Sequence, residues 1–193
     1  MNTETFRDFY QGLLSDALDA ESQLIKALPK MAGAASSHEL RSRFEEHLEQ
    51  TREHAARIEQ ILQNNREKAK RTKCKAMEGL VEEGSEAIEE FNQGELRDAA
   101  LICAAQKVEH YEIASYGTLR NLAQLLGDNE AQSLLEQTLE EEKQTDEKLT
   151  QLSEPINSAA IEAEGQESES DSEQRTKPRK ASSRTRQNKQ KVA

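Results

Sequence analysis

Between Ala99 and Leu119 the chain sets two carboxylates in the middle of an apolar helical stripe. Ile102, Ala105, Glu109, Glu112, Tyr116 and Leu119 follow one another at spacings of three and four, which places them on one face of an α-helix. Four of the six are apolar or aromatic, so the face turns inward. A carboxylate carried inward must be paired, protonated or bound to a metal, because desolvating a bare charge costs at least several kcal/mol. Two of them, one turn apart, call for a shared cation.

The rest of the chain has the composition of a helical body. Ala, Leu, Glu, Gln and Lys abound while Gly and Pro are sparse, which favours an all-α fold on propensity. The 193 residues suffice for one domain with a real core. No apolar run approaches the roughly 20 residues that cross a bilayer. The Met1 end has neither the basic nor the apolar part of a secretory leader. Two cysteines, Cys74 and Cys103, make no disulfide framework and are expected as small buried hydrophobes. These features predict a cytoplasmic protein with no membrane partner.

Each further helix repeats the oddity of the first. A helix over about Thr3–Met31 carries Leu14, Ala17, Glu21, Leu24 and Leu28 on its apolar side, with a carboxylate at the centre and Pro29 loosening the last turn. Ser36 and Glu39 have the spacing of a capping box for a second helix. Its stripe reads Phe44, His47 or Leu48, Thr51, His54 or Ala55, Ile58 and Leu62, with Gln50 between the histidines. A shorter helix follows over about Cys74–Phe91, and the central helix begins near Glu95. Gly127 and Asp128 close it and start the next. The last helix turns Leu135, Thr138 or Leu139, Glu142, Thr145 or Asp146, Leu149 and Leu152 inward. Glu140, Glu141 and Glu147 read as a solvated face, and Pro155 is expected to end the fold.

Antiparallel packing of these helices brings Glu21, His54 with Gln50 or His47, Glu109 with Glu112, and Glu142 with Asp146 to a similar depth. The expected architecture is therefore a four-helix bundle over residues 1–154, with a short extra helix between its second and third long helices, around a carboxylate-rich pocket. Glu21, Gln50, His54, Glu109, Glu112, Glu142 and Asp146 are the candidate ligands of two divalent metal ions, iron or manganese, because hard oxygen donors with imidazole suit those ions. Di-metal bundles usually carry Glu-x-x-His on two helices. This chain instead has Glu109-x-x-Glu112 and Glu142-x-x-x-Asp146. Tyr111 and Tyr116 are either packing residues or hydrogen-bonding or radical partners of the site.

The runs LLSDALDAESQL, HLEQTREH, KCKAMEGLVEE, RDAALICAAQKVEHYEIASYGTL and LLEQTLEEEKQTDEKL closely resemble the YciE/YciF family of bacterial ferritin-like stress proteins. The resemblance spans Phe6 to Leu152. It implies the ferritin-like fold, a homodimer, a di-metal centre and a role in stress, and it supports Glu21, Glu109, Glu112, Glu142 and Asp146 as site residues. Relatives often carry Glu where this chain has Gln50, a change that lowers the negative charge of the site. Whether such a centre turns over, on peroxide or on dioxygen, the residues leave open.

Residues 155–193 lie outside that resemblance and lack hydropathic periodicity. They divide into an acidic Glu162–Glu173 block and a basic Gln174–Ala193 end. Such composition cannot offset its own ordering entropy, so a disordered tail is expected. Its basic end would make weak nucleic-acid or acidic-partner contacts, the alternative function being a non-catalytic stress or structural protein that binds through it. An inert solubilising extension is an equal reading.

Overall fold

The structure, a computed structural model, describes residues 5–66, 69 and 72–176, with side chains placed through 165 in the last helix. Five helices account for it: α1 Phe6–Ala34, α2 His38–Asn64, α3 Lys75–Glu90, α4 Glu95–Leu125 and α5 Asn129–Thr176. Short turns join α1 to α2 and α4 to α5, so each pair packs as antiparallel neighbours. The helices within each of these two pairs pack most extensively against each other, and α3 packs against α4 and α1. This is the expected ferritin-like four-helix bundle with one short additional helix between its second and third long members.

The helix ends follow from local chemistry. Thr5 caps α1, its side chain accepting from the Asp8 N–H at 3.1 Å. Gly127 ends α4 at φ +75°, a left-handed conformation that costs glycine little, and the Asp128 carboxylate accepts from Ala131 N–H to start α5. The cap of α2 differs from the expected box. Ser37 is the N-cap, accepting from Leu40 N–H at 3.3 Å, while the Ser36 hydroxyl accepts from Gly94 N–H at 2.9 Å. Asp98 of α4 reaches across to the same turn, accepting from Ser36 N–H at 2.8 Å and Ser37 N–H at 2.6 Å. A buried carboxylate thus satisfies backbone donors that would otherwise be orphaned.

Two further expectations are corrected. Pro155 does not end the fold: α5 runs on to Thr176. Proline is exposed on the outer face, where the carbonyl it frees can meet water. Ile156 and Ala160 meanwhile continue the buried line of Leu149 and Leu152. Residues 155–176 of the expected disordered tail, the acidic Glu162–Glu173 block and the first residues of the basic Gln174–Ala193 end among them, are therefore helical, while 177–193 lie outside the described residues. Cys74 is buried as expected, but Cys103 is exposed.

The core is split in two. Leu24, Leu28, Leu40, Phe44, Leu101, Ile102, Leu149 and Leu152 belong to one apolar cluster, and Leu14, Ile58, Ile61, Leu119, Leu122 and Leu135 to the other. Between them along the helices lies a polar layer of Glu21, His47, Thr51, His54, Glu109, Glu112, Thr138, Glu142 and Thr145, all buried. Hydrocarbon on both sides keeps water from this layer.

Candidate metal centre

The polar layer draws on all four long helices. Glu21 comes from the middle of α1, where Leu14, Ala17, Leu24 and Leu28 hold its face inward. On α2 the structure settles the sequence alternatives in favour of the histidines: His47, Thr51 and His54 are buried, while Leu48 and Ala55 are only half-buried. Helix α4 delivers Glu109 and Glu112, and α5 delivers Glu142, which has no exposed surface.

These side chains converge as two overlapping groups. His47, Glu109, Glu112 and Glu142 offer ligand atoms within 4.8 Å of one another, and so do Glu21, His54 and Glu142. Glu142 is common to both. Its Oε1 lies 2.8 Å from His54 Nδ1 and its Oε2 lies 4.0 Å from His47 Nε2, which is itself 3.3 Å from Glu109 Oε1. The Tyr116 hydroxyl donates to Glu21 Oε1.

Protein groups satisfy little of this cluster. Glu21 Oε2, Glu109 Oε2, both oxygens of Glu112 and Glu142, both ring nitrogens of His47 and His54 Nδ1 are buried and lack a hydrogen-bond partner. The 2.8 Å approach of His54 Nδ1 to Glu142 is an ion-pair contact. Native interiors seldom leave such groups unsatisfied, and clusters of them point to an ion or to catalysis. Oxygen and imidazole donors facing one another across this layer could hold a metal ion.

The electrostatics say the same. Burial, then the Glu142 charge, pushes the Glu21 carboxyl up to about 8. The same two causes, in the same order, raise Glu109 and Glu112 well above the ordinary carboxylate range. Burial works against Glu142 too, yet His54 and His47 outweigh it and hold that carboxyl low. Burial depresses His47. It also opposes protonation of His54, but Glu142, Glu21 and Glu141 overcome it and lift that ring to about 9. Without metal, His54 is the cation of the layer.

His54 is also the best oriented member. Its Nε2 hydrogen-bonds Glu141 Oε2 at 2.8 Å. Glu141 is held in turn by Arg57 Nη1 at 2.6 Å, Arg57 Nη2 at 3.1 Å and Gln137 at 3.0 Å. Burial raises the Glu141 carboxyl, but these donors prevail and set it at about 2. A carboxylate that fixes one imidazole nitrogen leaves the other aimed at a metal. The sequence reading placed Glu141 on the solvated face. The available signal was Arg57, three residues after His54 and so on the same side of α2.

Asp146 and Gln50 stand at the margin. Asp146 belongs to neither group. It is one-fifth exposed, and its Oδ1 lies 3.6 Å from Nε2 of the exposed His110, while its charge helps to raise Glu109. Gln50 is half-buried beside His47 and favours the protonated ring. Tyr111 takes no part in the layer: its hydroxyl lies 2.9 Å from Cys74 Sγ and donates to Asp16.

Residues 5–162 match a family described as a domain of unknown function, DUF892. Protein YciF of Escherichia coli K12 is 55% identical over 153 residues, 79% of this chain and 92% of that protein. The crystal structure of that E. coli stress protein superposes with a TM-score of 0.78 at 52% identity, covering 81% of this chain and 99% of the other. The structure of YcfI from Rhodopseudomonas palustris gives 0.74 at 37% identity, over 77% and 95%. A Xanthomonas campestris protein at 23% identity and a TM-score of 0.68, over 83% and 99%, shares the fold. Among the described residues no helix is long and apolar enough to cross a membrane.

Proposed function

We propose, from the premise that this chain belongs to the DUF892 family, that its bundle binds two divalent cations, iron or manganese, and serves the cell under stress. The observation that carries the reading is the set of partnerless donors in the polar layer, contributed by all four long helices and closed off on both sides by hydrocarbon. Bound there, the two ions would supply redox chemistry toward peroxide or dioxygen.

The chain's own residues divide the work. Glu142 belongs to both groups of ligand atoms and would be shared. His47, Glu109 and Glu112 would complete one position, Glu21 and His54 the other. Glu141 orients His54 and keeps its Nε2 engaged, while Tyr116 holds one oxygen of Glu21 and leaves the second free. Asp146 and Gln50 would act from the edge of the site. The flanking apolar clusters exclude water, which strengthens every charge interaction within the layer.

Elemental mass spectrometry on the untagged protein, beside a Glu109→Ala/Glu142→Ala double variant, tests the reading. About two iron or manganese ions per chain, lost in the variant, are expected. A folded protein that stays metal-free after reconstitution would refute it.

The same reading places the protein in the cytoplasm as a homodimer, for which size-exclusion chromatography with light scattering is the check. A contact of the basic Gln174–Ala193 segment with nucleic acid would be salt-dependent and would vanish when that segment is deleted, with metal content unchanged.

A further inference from the structure

The hydrocarbon beside the polar layer is not completely filled. Leu24, Leu28, Phe44, Val108 and Leu149 close around a cavity that leaves about 20 Å³ open to the centre of a water-sized sphere, room for one small molecule. His47 and Glu109 form its polar end, so it abuts the candidate centre. Arg43 is the one lining residue that is not buried. Its guanidinium is drawn toward Glu46 at 3.0 Å and Glu39 at 3.8 Å, which leaves the aliphatic stem against the cavity.

What can occupy this space follows from its wall, which is almost entirely hydrocarbon. A trapped water needs two to four polar partners, and hydrogen peroxide has the same need. Thr145 turns its hydroxyl to the Glu141 carbonyl at 3.1 Å, and although His47 and Glu109 carry partnerless atoms, the two present almost no polar surface to the cavity. A small apolar molecule requires no partner at all. We propose that this cavity is a binding site for dioxygen, holding it at the His47–Glu109 edge of the centre. Delivery to metal rests on the functional reading above; occupancy of the cavity does not.

Methyl relaxation under dioxygen pressure, on the metal-free full-length chain, reads occupancy directly because the gas is paramagnetic. Methyl groups of Leu24, Leu28, Val108 and Leu149 are expected to relax faster than those of Ile58, Ile61 and Leu135, which are as deeply buried but belong to the other cluster. Ala105→Leu, whose side chain grows into the cavity, should abolish the difference. Val108→Leu is the milder filling variant should that one fail to fold. Equal enhancement in the two clusters, or enhancement that survives filling, overturns the proposal. Metal content is measured on the same preparation. A protein that concentrates dioxygen here but loads no metal ends the metal reading and the delivery role with it. One that loads metal without a local enhancement ends this inference alone.

Discussion

A polar layer built for metal should weaken the protein that lacks metal, and Glu112 offers the cleanest measure. The residue is 2% exposed and neither carboxylate oxygen has a hydrogen-bond partner. Leaving a buried polar group unpaired costs about 1–3 kcal/mol. Keeping a carboxyl neutral at pH 7, when it would ionise near 4.5 in the unfolded chain, costs about 3 kcal/mol at most. Glu112→Met removes both costs with a side chain of similar length and good helix propensity. In EDTA the variant should therefore be more stable than the wild type by about 1–3 kcal/mol, raising Tm by about 2–10 °C for a chain of this size. Glu112→Gln, still polar, should gain less. Saturating metal should reverse the order: ligand at 100 times its Kd adds about 2.7 kcal/mol to the protein that binds it, and the Met variant lacks a ligand. Urea unfolding followed by circular dichroism, with EDTA and then with Mn²⁺, gives both numbers. A Met variant less stable than the wild type in EDTA would show that Glu112 is satisfied in the fold and would refute the reasoning.

Glu141→Gln should release His54 and weaken metal binding by about 10–100-fold with the fold intact; competition against a chromophoric chelator reads the affinity, and an unchanged value would count against the positioning role. Stability of the metal-free protein should fall as pH rises from about 5 to about 8, because burial raises Glu21, Glu109 and Glu112 above their unfolded values and such groups contribute stability below the unfolded pKa that is lost through the folded one. Glu142, held low, contributes with the opposite sign and on the acid side only, and depressed His47 opposes the fall below about pH 6.5, but His54, lifted to about 9, adds to it above, so the urea midpoint in EDTA should be lower at pH 8 than at pH 5. Gln50→Glu should raise metal occupancy beside His47, as elemental analysis would show. Truncation after Glu154 removes the buried Ile156 and Ala160 and should cost about 2–4 kcal/mol; a truncated chain with an unchanged Tm would mean that α5 beyond Pro155 adds nothing.

Much of this was legible in the sequence because carboxylates at core positions are rare enough to stand out. All six stripe residues of α4 are buried, and Glu21 and Glu142 join Glu109 and Glu112 through helical spacing alone. Periodicity could not choose between His47 and Leu48 or between His54 and Ala55, since neighbours on a helix differ by only 100° and either set fits a wide stripe. Glu141 was missed for a related reason. One residue from Glu142, it sits at the rim of the buried face, where its partner on another helix decides its role. Pro155 misled because the hydrogen bond a proline removes and the kink its ring imposes are both tolerated on the water-facing side of α5. The Ile156–Ala160 spacing was the better signal.

The division of ligands between the two helix pairs also bears on the order of events during synthesis. Helices α1 and α2 carry Glu21, His47 and His54, while α4 and α5 carry Glu109, Glu112 and Glu142. The second pair must bring three carboxylates together, and taken alone its one imidazole, His110, is exposed and lies beside Asp146 rather than among them. The first pair emerges earlier from the ribosome and brings both imidazoles of the layer, His47 and His54, before those carboxylates are made. Vectorial synthesis thus presents the neutralising half before the repelling half. A circular permutant beginning at Glu95 would reach the same bundle through the opposite sequence, closing its acidic pair first, and should become protease-resistant later during cell-free translation at neutral pH without becoming less stable once made.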